Sequence, residues 1–501
     1  MRQKFFFLVV ASIFIITFVP VIVLIGDTLY SLPKEYSLLL DISVWKVFVK
    51  SFFLSILVAF STTVVGTMLG ILFVKSDLKF TKFFLFILII PLLIPPFMIA
   101  YGWFEVLGRN SLLFGFLGVW FVHFSIFLPI PLLFSMLALK EIDISLEEAS
   151  LIFTSPKETL KSITLPLIFP SLIFSFLIVF ILSFGEYSVA NYLRYDTFSL
   201  QSFVYFSAFY DYQKATLLSL PTVGVVLLVM LYFEVLHNRY TFGINKTYKI
   251  KKIPIQKYKK MITLMLVFFV FVVDVVPIFM LLFKGLDFTN FIDGLKLGYK
   301  PLLKSLIYSS LSASILSIFG FLSAYIIVEK LFKWYKLYDK GLLFLFVLPP
   351  TVFAISFTLF YNHTWSDIIY ASPLIILFAY LGKFLFLSTK VLQSTLEKIP
   401  ASFIEAAKLS GASWKEIIYF ILLPLSKNAL FIAWIIGFIF SFREISMTMI
   451  LYPPGYQTLP IEIITQMANG QESVIASMSS IMIVISSLML GIVFKLSRTK
   501  E

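Results

Sequence analysis

The sequence predicts an all-α integral membrane protein of about twelve transmembrane helices, arranged as two parallel six-helix repeats. Three observations carry that expectation. Hydrophobic residues make up 60% of the 501 positions and charged residues only 13%, with a mean hydropathy of +0.98, outside the range of soluble domains. Several runs, such as 5–25, 167–185, 215–233, 341–361 and 473–494, carry no charge and reach the ~20 apolar residues that cross a bilayer. Finally, EEASLIFTSPKETLKSITLPL at 147–167 recurs as EAAKLSGASWKEIIYFILLPL at 405–425, 258 residues on.

The first span is expected at 5–25. Its apolar run is too long for a signal-peptide core and no small-x-small cleavage pattern follows, so it reads as a retained helix. The others fall near 47–74, 83–107, 111–138, 167–190 and 215–236, then 261–283, 302–328, 341–361, 367–390, 424–451 and 474–494. KSFFLSILVAFSTTVVG at 50–66 answers KSLIYSSLSASILSIFG at 304–320, and Pro95-Pro96 answers Pro349-Pro350, both 254 residues apart. SFGEYSV at 183–189 answers SFREISM at 441–447, 258 apart. The halves are therefore 1–236 and 261–501, each a six-span unit in one orientation, joined by a basic linker at 237–260. A parallel duplication of this kind places a pathway between its halves.

The net charge of +13 follows topology. Lys and Arg concentrate in alternate connections, above all in RYTFGINKTYKIKKIPIQKYKK at 239–260, which holds eight of them. By the positive-inside rule both termini are cytoplasmic. The excess fits contact with anionic membrane lipids rather than nucleic acid.

The polar stretch at 147–167 and its copy read as short helix-turn-helix knobs on the cytoplasmic face. Ser145 with Glu148, and Ser402 with Glu405, have the spacing of capping boxes; so do Ser155 with Glu158, and Ser413 with Glu416. Pro156 suits a first helical position, and Gly411 suits a left-handed turn between two helices. Leu151, Ile152 and Phe153, or Leu409 and Trp414, lie near the turn, where an apolar tip can enter a groove of another protein.

Chemistry of catalysis is missing from the sequence. There is no phosphate-binding Gly-rich loop ending in Gly-Lys-Ser/Thr, no nucleophile constellation and no Cys. The three histidines, at 123, 237 and 363, share no pattern, so no metal site is expected. Charges inside spans are costly and mark functional candidates. Glu186 and Glu444 hold matching places in the two SF-x-E motifs, with Arg443 beside the second, and together they are the candidate pathway residues. Glu105 and Asp274 are expected near the outer span ends, Lys383 is expected to snorkel, and Tyr101 and Trp103 to join an interfacial aromatic belt. The proline pairs are expected to kink their helices.

EAAKLSGASWKEIIYFILLPL resembles the EAA loop of binding-protein-dependent ABC transporter permeases: EAA, then Gly, then a hydrophobic residue before Leu-Pro. Two such units fused in one chain resemble the ferric-iron type, and also the thiamine type. The resemblance implies a coupling loop that docks on ATP-binding subunits, formed here by Glu405, Ala406, Ala407, Gly411 and Glu416 and, in the first copy, by Glu147, Ala149, Ser155 and Glu158. That copy departs from the pattern, with Phe153 in the place of Gly411 and Glu148 in that of the middle Ala. The implied partners are two copies of a cytoplasmic ATP-binding subunit and an extracytoplasmic solute-binding protein, in a bacterial inner membrane. No cofactor is implied in this chain, since ATP and Mg would be held by the partner subunit. The rival reading is an ion-coupled secondary transporter, which also uses repeats and broken helices but gives no reason for paired cytoplasmic knobs.

Overall fold

The computed structural model describes residues 2–108, 112–239 and 258–498, all helix or connection with no strand among them. Most of the basic linker expected at 237–260 lies outside the described residues. In chain order the helices are α1 (Arg2–Tyr30), α2 (Ile42–Lys75), α3 (Thr81–Leu93), α4 (Pro96–Leu107), α5 (Phe116–Lys140), α6 (Ile144–Phe153), α7 (Pro156–Gly185), α8 (Ser188–Tyr192), α9 (Phe198–Ser207), α10 (Tyr212–Tyr232) and α11 (Lys259–Gly285). There follow α12 (Phe291–Val328), α13 (Tyr335–Val347), α14 (Pro350–Tyr361), α15 (Asp367–Tyr370), α16 (Leu374–Leu396), α17 (Ala401–Leu409), α18 (Trp414–Arg443), α19 (Thr448–Leu451), α20 (Leu459–Asn469) and α21 (Glu472–Leu496).

Among the described residues, ten of these helices are long and apolar enough to cross a membrane, and twelve spans result if each of two bent helix pairs counts as one. Helices dominate because a spanning backbone must satisfy its polar groups internally. The bent pairs are α3–α4 and α13–α14, which turn by 105° and 104°. Pro95-Pro96 and Pro349-Pro350 thus break their spans instead of only kinking them. In each pair the first proline is extended and the second opens the new helix, where its missing N–H costs nothing.

Contacts divide the chain into two compact units whose composition does not follow the halves 1–236 and 261–501. The larger comprises Met1–Tyr36, Tyr205–Leu220 and Lys284–Glu501, the smaller Ser37–Val204 and Pro221–Phe283. In the smaller unit Leu266, Val270 and Val273 of α11 share an apolar core with Leu69 and Phe73 of α2, Leu88 of α3 and Leu128 and Leu132 of α5. In the larger, Ile16 of α1 accepts a bond from the Tyr361 hydroxyl at 3.2 Å, and Thr17 packs where Gly382 has no side chain. The first span of each sequence half therefore packs into the unit built mainly from the other half.

Backbone repeats go deeper than sequence identity. Ser51 accepts the Phe198 amide at 2.8 Å, and Ser305, 254 residues on, accepts the Leu459 amide at 2.7 Å. Each serine pins the start of a short helix, α9 or α20, that follows an SF-x-E motif. Helices α7 and α18 stop at Gly185 and Arg443, before Glu186 and Glu444, so the spans expected to run on to 190 and 451 end earlier.

Candidate functional site

The two polar loops fold as helix-turn-helix, but not with the caps their serines suggest. Asp143 caps α6, accepting from the Ser145 amide at 3.0 Å. Pro400 precedes α17 with no side-chain cap. Ser145 and Ser402 already lie inside the first helical turn, so their backbone angles are helical and the two boxes expected with Glu148 and Glu405 do not form. At the second position the expectation holds fully in one copy. Ser413 and Glu416 exchange bonds, the Ser413 amide to Glu416 Oε2 at 2.6 Å and the Glu416 amide to Ser413 Oγ at 3.4 Å. Ser155 accepts from the Glu158 amide at 3.3 Å, and Pro156 opens the helix.

The turns differ as Phe153 against Gly411 implies. Gly411 has φ +82°, its amide bonds the Lys408 carbonyl at 3.1 Å, and the Ala412 amide bonds that of Ala407 at 3.0 Å. This is a Schellman turn, which needs a left-handed residue. In the first copy Thr154 and Ser155 are extended instead, and the hydroxyls of Ser150, Thr154 and Thr159 close a triangle of 2.9–3.1 Å.

The matched glutamates have opposite fates. Glu147 is buried: Lys75 Nζ donates to its Oε2 at 2.5 Å and the Thr164 hydroxyl to its Oε1 at 2.8 Å. Glu405, by contrast, is exposed and makes no hydrogen bond or ion pair among the described residues. Ala149, Ser155, Glu158, Ala406, Gly411 and Glu416 are exposed and Ala407 partly so. The turn tips are apolar and open, with Phe153 86% and Leu409 90% exposed. Trp414 belongs elsewhere. Its indole lies 5.6 Å from the rings of Phe5 and Phe6, so it packs onto α1 and is not part of the tip.

The SF-x-E carboxylates sit where α7 and α18 break. Glu186 accepts from the Ser188 amide at 2.8 Å, the Ser188 hydroxyl and the Val189 amide at 3.0 Å. His123 Nε2 lies 3.1 Å from its Oε2, and His123 Nδ1 lies 3.0 Å from Ser183 Oγ. Oε1 is thus committed to the chain break itself and Oε2 to both the break and α5, a use no sequence pattern around His123 announced. Glu444 accepts from the Met447 amide at 2.8 Å, and the Arg443 guanidinium lies 5.4 Å from the Phe440 ring centre. Tyr380, 257 residues after His123, bonds Thr448 at 2.7 Å.

Other charges depart from expectation. Lys383 does not snorkel; it is buried, and its ammonium donates to the Phe346 carbonyl at 2.6 Å and to that of Leu348. It thereby caps α13 at the proline break, where carbonyls lack intrahelical donors. Asp274 is not near a span end but in the middle of α11, 0% exposed, accepting from the Ser125 hydroxyl at 2.8 Å. Tyr101 and Trp103 are buried, so they are core residues and not an interfacial belt. Among the described residues no cluster of three or more His, Asp or Glu has the geometry of a metal site.

Fold and loops together define a multi-pass, all-α membrane protein. Residues 317–499 match the family described as "Binding-protein-dependent transport system inner membrane component". The match lies wholly in the second half, which is thus similar to that component, and the stretch 405–425 that gave the resemblance falls within it. The chain is 28% identical over 438 residues to the ferric transport system permease protein FbpB of Actinobacillus pleuropneumoniae, covering 79% of this chain and 63% of that one. It is 28% identical over 471 residues to the putative ferric transport system permease protein FbpB 1 of Haemophilus influenzae, covering 85% and 73%. The spermidine/putrescine transport system permease protein PotC of Escherichia coli matches at 26% over 196 residues, 37% of this chain and 69% of PotC. The chain thus spans less than two thirds of the Actinobacillus relative.

Proposed function

We propose that this chain is the permease subunit of an ATP-driven ABC importer for ferric iron, with both termini in the cytoplasm. ATP would be hydrolysed on two copies of a cytoplasmic ATP-binding subunit, and solute delivered by an extracytoplasmic binding protein. The loops α6–α7 and α17–α18 would pass closure of the ATP-binding subunits to the spans, shifting the pathway between outward- and inward-facing states. The observation that carries this reading is the second loop: an exposed Glu405 with no hydrogen bond or ion pair among the described residues, near a 90% exposed Leu409 on a Schellman turn. A polar anchor next to an apolar tip suits a groove on a partner. The relatives named as ferric transport permeases favour iron as the solute.

Affinity purification from gently solubilised native membranes tests the partner. Wild type is expected to bring down an ATPase with a phosphate-binding loop, and Glu405→Ala/Gly411→Pro to lose it. Vesicle uptake assays with ferric iron, thiamine and spermidine in parallel then test the solute. Uptake that follows a proton or sodium gradient and ignores ATP would instead establish the secondary-transporter reading.

A further inference from the structure

The second loop keeps the glutamate of the brace that holds the first but neither of that glutamate's partners. Glu329 stands in the place of Lys75, 254 residues on; Glu405 and Leu422 stand in those of Glu147 and Thr164, 258 residues on. A bridge of the first kind would set two carboxylates against each other, so support must come from elsewhere.

It comes from α1. Arg2 Nη2 donates to Glu329 Oε2 at 2.7 Å and bonds the Tyr325 hydroxyl at 2.6 Å, with the guanidinium 5.1 Å from the Tyr325 ring centre. One turn later Phe5 and Phe6 meet Trp414, the first residue of α18, and Phe6 also lies 5.1 Å from Tyr325. A cavity of about 210 Å³ remains among these groups, with Lys408 and Ala412 of the loop on its wall. The loop is therefore propped across a gap rather than packed solid.

The ionic contact has a counterpart in the smaller unit, but the aromatic part of the prop is particular to the second loop. Lys259 stands 257 residues after Arg2, and it bonds Asp77 at 2.7 Å. Phe5 and Phe6 are replaced by Ile262 and Thr263, and Trp414 by Pro156, so the matching positions of the smaller unit carry no aromatic ring. Repeat symmetry does not demand the arrangement.

We propose that Arg2, Phe5 and Phe6 are positioning residues for the second coupling loop, setting its angle through Glu329 and Trp414 so that motion of the loop reaches α12 and α18. The coupling role rests on the importer reading above; the positioning does not.

Two measurements separate them. The chain has no Cys, so a spin label at Ser410→Cys reports the second loop in the purified full chain, and one at Thr154→Cys reports the first. Arg2→Ala and Phe5→Ala/Phe6→Ala are each expected to mobilise the label at 410 and leave that at 154 unchanged. The exchange Arg2→Glu/Glu329→Arg is expected to restore order. An unchanged label at 410, or equal loosening at both sites, overturns the proposal. In the complex reconstituted with its ATP-binding subunits, Arg2→Ala is expected to keep ATP hydrolysis while solute moved per ATP falls severalfold, and the exchange to recover it. If hydrolysis and transport instead fall together, the coupling role is lost. If Arg2→Ala does not fold, Arg2→Lys and Trp414→Leu are read in its place by the same criteria. If no ATP-binding subunit assembles with wild type, the importer reading fails and the spin labels still decide the positioning.

Discussion

Replacing the matched glutamates separately should damage the protein in opposite ways. Lys75 and Glu147 meet at 2.5 Å with side chains only 7% and 9% exposed. Glu147→Ala leaves the Lys75 ammonium buried without its counter-charge and frees the Thr164 hydroxyl. Breaking a buried pair from one side costs about 3–5 kcal/mol, a large fraction of a marginal total. Glu405→Ala removes an exposed side chain that makes no hydrogen bond or ion pair among the described residues, and such changes stay within about 0.5 kcal/mol. Thermal unfolding of the detergent-solubilised chain should therefore drop clearly for Glu147→Ala and hardly move for Glu405→Ala. Co-purification of the ATP-binding subunit, measured per mole of folded protein, should show the reverse ranking. Lys75→Met/Glu147→Leu should recover most of the lost stability, because an apolar pair can replace a buried ion pair. Equal destabilisation by Glu147→Ala and Glu405→Ala would refute the assignment of a brace to one and a docking anchor to the other.

Four further outcomes follow from the same geometry. Gly411→Ala should cost about 1 kcal/mol, the usual penalty for a Cβ in the left-handed region, and weaken partner capture, whereas Phe153→Gly should leave the extended first turn in place; thermal scans and pull-downs on both variants check this. Ser413→Ala removes one half of the capping box and should destabilise by about 1 kcal/mol, read as earlier proteolysis at the loop. Lys383→Met strands the Phe346 and Leu348 carbonyls at the proline break and should cost roughly 2 kcal/mol or more, at about 1–3 for each unmet group. His123→Phe leaves Ser183 and one Glu186 oxygen without their ring partner; it should cost on the order of 2 kcal/mol, and His123→Gln, which keeps a donor and an acceptor, should lose less.

What could be read from the sequence was whatever recurs or depends on backbone type. The spans follow from apolar length, the breaks from proline pairs, and the left-handed turn from Gly411 aligned with Phe153. Depth along a span was poorly legible, because hydropathy counts residues without saying which way each faces. Asp274 is polar and by composition suits a span end, yet it lies in the middle of α11, where the Ser125 hydroxyl donates to it. Tyr101 and Trp103 have the composition of an interfacial belt but are enclosed. Caps failed for a related reason: Ser145 and Ser402 have the right spacing, but Asp143 supplies an earlier cap in one copy, and α17 begins directly after Pro400 in the other. The partners of His123 and Lys383 are distant in sequence, and no local pattern encodes them.

The repeat is kept where side chains bond the backbone and lost in the braces that hold the two loops. Ser51 and Ser305 both receive an amide, Glu186 and Glu444 both cap the segment after a broken span, and both proline pairs bend by nearly the same angle. Such bonds fix the chain path, so two copies of one path require them twice. The braces are not constrained in that way. Lys75 with Glu147 holds one loop, while Arg2 with Glu329, and Phe5 and Phe6 with Trp414, hold the other. A buried ion pair ties the first loop directly to α2, whereas the second is held through a strut beside a cavity and keeps its own glutamate free. The chain path of one half thus nearly repeats in the other, while the supports of the loops do not.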